Sequence, residues 1–210
     1  MDANQIKAAL IDHLLGQERE AGLVVGAEIP FDDGRRKADL VAIDDLLFAF
    51  EIKSDRDRID TVLDQLSDYR ACFPVVYVAS GPEHVAQMRA KLPRRIGLLT
   101  VSPAGVKRVR KADASRRMPR LKAVGLLTRR ELESVLFERG LLPNNPKRIT
   151  TEVLRRAAAS NIPADELVCC VRREIRKRLE PRFREFLQHR GEVTHTEDLY
   201  YLNWAPVALT

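Results

Sequence analysis

Cysteine is scarce. The chain holds three in 210 residues (Cys72, Cys169 and Cys170), an odd number that cannot make an even disulfide framework, and the two that are adjacent cannot easily bridge. That excludes a disulfide-stapled secreted domain and predicts a reducing, cytoplasmic setting. No cysteines have metal-thiolate spacing, and His13, His84, His189 and His195 have no ligand spacing among them. Long apolar runs are missing as well: the longest, such as residues 46–50, fall far short of the roughly 18 residues a membrane span requires. The opening residues show no basic-then-apolar signal pattern, so no membrane partner is expected. Glycine (10) and proline (11) are thinly spread, which excludes collagen-like and low-complexity classes.

What is present is a globular composition, 45% hydrophobic and 31% charged, in a length that suits one full domain and a smaller accessory one. The net charge of +6 conceals an uneven distribution. Residues 1–106 carry 13 Lys/Arg against 17 Asp/Glu, whereas residues 107–190 carry 23 against 10, and the last twenty carry three acids and no base. A basic segment of this size suits a polyanion, because clustered Lys/Arg release counterions from a phosphate backbone. A solvated Arg-rich helical surface is the plainer explanation.

The periodicity of apolar residues changes along the chain. A helical stripe of Ile6, Leu10, Ile11, Leu14 and Leu15 predicts a helix over 2–20. Strands are predicted at 23–31, 38–43 and 47–53, separated by turn-forming acidic clusters. A helix over 57–72 follows, then a buried strand at 75–79, a helix over 82–92 and a strand at 96–101. Beyond about Val109 the chain reads as helical and basic. Thr128 and Glu131 have capping-box spacing, and Pro163 suits the first turn of a long helix to about residue 188, with Pro181 a possible break. The tail, with the only Trp at 204, is expected to dock. Three units result: an α/β domain over 1–112, a basic helical domain over 113–190 and a docking tail over 191–210.

The chemistry sits in the third strand. Alternation places Leu47, Ala49, Glu51 and Lys53 on one face and Phe48, Phe50 and Ile52 on the other, the aromatic side being read as the core. With a three-residue loop at 44–46, Asp39 falls directly opposite Glu51; a two-residue loop would separate them unless a bulge restored the register. Two carboxylates and an ammonium on one apolar-flanked spot are costly unless a divalent cation or a substrate gathers them. Gln65 and Tyr69 are four residues apart on one helical face, with Arg58 earlier on the same stripe. Arg35, Arg36 and Lys37 precede Asp39 in a loop where they could touch phosphates.

Asp39, followed after eleven residues by Glu51-Ile52-Lys53, resembles the PD-(D/E)xK signature of restriction-endonuclease-like nucleases. The order of elements is similar to their αβββαβ core, here with a C-terminal all-helical extension. Gln65-Leu66-Ser67-Asp68-Tyr69 resembles the QxxxY element of one branch, and the overall likeness is to small uncharacterised bacterial members, over residues 1–110. The resemblance implies a metal-dependent nuclease, of bacterial or phage type, that hydrolyses phosphodiester bonds in DNA. Mg²⁺ or Mn²⁺ would be held by Asp39, Glu51 and the carbonyl of Ile52, with Lys53, Gln65 and Tyr69 assisting. Glu28 is a candidate extra ligand, with Glu18 and Glu20 as rivals. The helical half would aid substrate binding or hold a protein partner or second copy. An inactive nucleic-acid-binding relative and a regulatory protein-interaction module are the alternatives.

Overall fold

The computed structural model describes residues 1–16, 22–57, 59, 62–115 and 118–204. Glu18, Glu20, Arg58, Arg116 and Arg117 therefore lie outside the described residues.

Six strands form one mixed sheet in sequence order: β1 (Val24–Phe31), β2 (Arg36–Ile43), β3 (Leu47–Lys53), β4 (Val75–Ser80), β5 (Gly97–Ser102) and β6 (Gly105–Arg110). The first three are antiparallel, β3–β4 and β4–β5 are parallel, and β5–β6 is an antiparallel hairpin. The two parallel steps carry the crossover helices α2 (Val62–Cys72) and α3 (Val85–Lys91), as parallel pairing requires. β3 and β4 are central, and their side chains are buried on both faces except for the half-buried Phe48 and Tyr77. The aromatic face is thus one of two buried faces of β3.

Helix α1 (Ala3–Leu15) opens with a capping box between Asp2 and Gln5 and buries its stripe of Ile6, Leu10, Ile11 and Leu14. It lies on the face that bears Phe48, Phe50 and Tyr77, with His13 and Leu14 beside those rings. The Tyr77 ring, stacked on Phe50 at 5.6 Å, occupies the space over Gly97, where an added Cβ would lie 2.2 Å from it. The opposite face carries α2.

β6 has no counterpart among the strands read from the sequence. Its only apolar residues are Val106 and Val109 among Lys107, Arg108 and Arg110, so it shows no apolar run. Bases suit an edge strand, where they discourage pairing with another chain.

The helical half comprises α4 (Arg120–Val124), α5 (Arg129–Glu138), α6 (Thr151–Asn161), α7 (Ala164–His189) and α8 (Leu199–Leu202). Thr128 and Glu131 form the capping box expected at α5. Pro181 does not interrupt α7; it sits on the exposed side, where water can take the carbonyl that lost its helical donor. α7 crosses β1 at Gly26, the one residue there without a side chain to hold Leu179 away: a Cβ would lie 2.9 Å from both Leu179 methyl groups. The tail docks on the same strand, with Asn203 bridging Ala27 and the Trp204 N–H donating to the Ala27 carbonyl at 2.9 Å. One buried hydrophobic cluster runs from α1 through the sheet to α7 and Leu202. Among the described residues no helix is long and apolar enough to cross a membrane.

Candidate active site

The β2–β3 ladder runs from Ile43 opposite Leu47 to Leu40 opposite Phe50 around a three-residue loop, and its next step sets Asp39 opposite Glu51. The ladder ends there because the Asp39 carboxylate takes the next donor: the Ile52 N–H donates to Asp39 Oδ2 at 2.7 Å. Glu51 is almost fully buried, 2% exposed, and forms an ion pair with Lys53 Nζ at 2.7 Å. Lys53 also donates to Gln65 Oε1 at 2.8 Å, so α2 fixes the ammonium against the acid. Tyr69, one turn on, is buried against Phe31 and Phe73; its hydroxyl accepts from the Asp39 N–H at 3.2 Å and donates to the Lys37 carbonyl at 3.3 Å. Asp39, Glu51, Ile52, Lys53, Gln65 and Tyr69 thus meet in one place.

The site is electrostatically unbalanced. Burial, then the charge of Glu51, pushes the Asp39 carboxyl up to about 7, against which the Ile52 hydrogen bond and Lys7 act. Burial and the same two acids hold the Tyr69 phenol well above its ordinary value, so it stays protonated.

Glu28 takes a different course. Register places it opposite Asp39 on the other side, between the Ala27–Leu40 and Ile29–Ala38 pairs, but its φ of 55° is left-handed and breaks the strand alternation. Residues 26 and 29 consequently share a face: the Ile29 side chain lies 3.2 Å from where a Gly26 Cβ would be. The Glu28 carboxylate is tied to Lys7 of α1 at 2.6 Å. Among the described residues, no three of His, Cys, Asp or Glu form a ready-made metal cluster. Lys7 was missed in the sequence, although its place in the 7, 10, 11, 14 stripe of α1, among residues that are otherwise apolar, marks a buried lysine.

The proposed phosphate contacts are partly engaged. Arg35 is 70% exposed but near Asp32 and Asp33, Arg36 pairs with Asp68 at 2.8 Å, and Lys37 is exposed.

A family model described as "Bacteriophage P4 protein cII" matches residues 1–203. The chain belongs to the phage P4 cII family. Protein cII of Enterobacteria phage P4 is 25% identical to this cII-family chain over 208 residues, covering 96% of this chain and 77% of that protein. A solved structure, the SPO1766 protein of unknown function from Silicibacter pomeroyi, aligns at 20% identity with a TM-score of 0.45, over 71% of this chain and 97% of its own.

Proposed function

We propose that this chain is a divalent-metal-dependent nuclease that hydrolyses phosphodiester bonds in DNA, built on a PD-(D/E)xK, restriction-endonuclease-like core. The observation that carries this reading is the meeting of Asp39 and Glu51 in register with Lys53 and Gln65 beside them. The donors are hard oxygens in a buried, net-negative site, the chemistry Mg²⁺ or Mn²⁺ prefers. Asp39, Glu51 and the Ile52 carbonyl are the residues that would hold the ion. When bound, it would supply Lewis acidity at the phosphate and a water of lowered pKa.

The chain's own residues do the rest. Lys53, held by Gln65, is placed to orient the attacking water or donate to the phosphate as negative charge develops. Tyr69 locks the β2 backbone at Asp39, and the Ile52 N–H fixes the carboxylate's rotamer, so the two acids do not drift apart. Lys37, exposed at the start of β2, and its neighbour Arg36, paired there with Asp68, are the bases that would meet a backbone phosphate.

The test is incubation of the full chain with single-stranded, duplex and branched DNA in Mg²⁺ or chelator. Cleavage in Mg²⁺ alone is expected; no cleavage of any form in Mg²⁺ or Mn²⁺ would overturn the reading.

A further inference from the structure

Three carboxylates occupy neighbouring positions on β1, β2 and β3, with Glu28 between the Ala27–Leu40 and Ile29–Ala38 pairs, Asp39 one step beyond the Leu40–Phe50 pair and Glu51 next to Phe50. The left-handed backbone at Glu28 breaks the alternation that would put all three side chains on one face. The two outer ones each have an ammonium within ion-pair distance, Lys7 on Glu28 at 2.6 Å and Lys53 on Glu51 at 2.7 Å. The Asp39 carboxylate, in the middle, accepts from the Ile52 N–H instead. Lys7 is itself buried, 5% exposed, and a lysine is rarely buried unless its charge is paired. Glu28 meanwhile adopts a left-handed conformation that a residue with a Cβ holds only when its surroundings require it. Both ends of the pair are fixed: Lys7 by the buried stripe of α1, and Glu28 by β1, whose neighbouring Ala27 carbonyl is capped by Trp204.

We infer that Lys7 is a positioning residue that holds Glu28 out of the metal's ligand set, so that the site binds its ion through Asp39 and Glu51 without a third carboxylate. The inference rests on the nuclease reading and refines it. Once the ion binds and Asp39 is ionised, three carboxylates against two ammonium groups leave a single negative charge, which suits an ion that arrives with water and a phosphate ester. Without Lys7 the Glu28 carboxylate would be unpaired beside Asp39, and free to join it.

Titration of the full chain with Mn²⁺ by calorimetry in chelator-free buffer tests this, with circular dichroism to confirm folding. The wild type is expected to bind Mn²⁺; if it does not, the nuclease reading fails and takes the inference with it. Lys7→Gln should bind Mn²⁺ at least tenfold tighter, because Glu28 becomes a ligand. The double variant Lys7→Gln with Glu28→Gln, which keeps a neutral hydrogen-bonded pair, should return to within threefold of the wild type. Unchanged affinity in a folded Lys7→Gln would overturn the inference while leaving the nuclease reading intact. Loss of binding in the double variant would do the same, by showing that Glu28 already ligates; this arm decides the matter if the single variant does not fold.

Discussion

Lys53 serves two groups at once, and that fixes what its removal should do. It neutralises the buried Glu51 and is held in place by Gln65. Lys53→Met should lower cleavage by roughly 10²-fold or more, the scale of a lost proton-handling group. It should also cost about 3 kcal/mol of stability in chelator, because Glu51 is left buried without its counter-ion. Part of that stability should return with Mg²⁺, since the ion restores a positive charge; urea unfolding with and without Mg²⁺ measures both. A second residue-level effect depends on pH. Asp32 accepts from Lys122 at 2.5 Å, and this hydrogen bond holds its carboxyl below the ordinary value of 3.8. A depressed folded pKa stabilises above the unfolded value and is lost as pH falls through the folded one. Asp32→Asn also tolerates the left-handed backbone there, with φ 48°, so the comparison isolates charge. The wild type should exceed the variant by about 0.5–1 kcal/mol, with Lys122 partly solvent-screened, between pH 5 and 7, and the gap should close below about pH 4. A gap independent of pH would mean the pair is not what joins α4 to the β1–β2 turn.

At the scale of elements, the crossing of α7 over β1 depends on one missing side chain. Gly26→Ala would put a methyl group 2.9 Å from both Leu179 methyls, in a core that tolerates overpacking poorly. We expect a loss of roughly 1–3 kcal/mol in thermal or denaturant unfolding. Cleavage at low temperature should be unchanged, because the Asp39–Glu51 pair lies across β2 and β3. The elements themselves were largely legible, since the short apolar-rich stretches of β1–β3 between turn-forming acidic clusters and the apolar run of β4 are direct signatures of strands. β6 was not, because an edge strand that meets solvent needs only two valines. In the site, the Asp39–Glu51 register followed only from a three-residue loop, a length that the sequence left open against a two-residue one, whereas Gln65 and Tyr69 were readable from their helical spacing. The Lys7–Glu28 pair was not, because it joins residues 21 positions apart through a strand whose alternation breaks at Glu28 itself. The aromatic face of β3 misled in a milder way: helices cover both faces, so apolar content did not separate inside from outside.

For the whole molecule, the basic half has a different meaning in three dimensions. Much of its charge is internal scaffolding. Arg110 donates to the carbonyls of Leu92, Pro93 and Ile96, Arg173 pairs with Glu138 and Glu174, and Arg176 reaches the carbonyls of Gly22 and Ile43. Arg178 is buried between Leu126, Glu131 and the Trp204 ring. Lys107, Arg108 and Lys111 remain exposed, along and just beyond the edge strand. Replacing those three with alanine should flatten the salt dependence of DNA binding by up to about 0.9 for each phosphate no longer neutralised. Arg178→Ala should instead lower stability while leaving the salt slope of the folded protein unchanged. The central claim is that the register of β2 and β3 assembles a hydrolytic site, and its most direct test is cleavage of the DNA panel by Asp39→Asn beside the wild type. Asparagine keeps the acceptor for the Ile52 N–H and removes one buried negative charge. The variant should be folded and at least as stable as the wild type in chelator, and should not cleave in Mg²⁺. Cleavage by Asp39→Asn at the wild-type rate would contradict the claim.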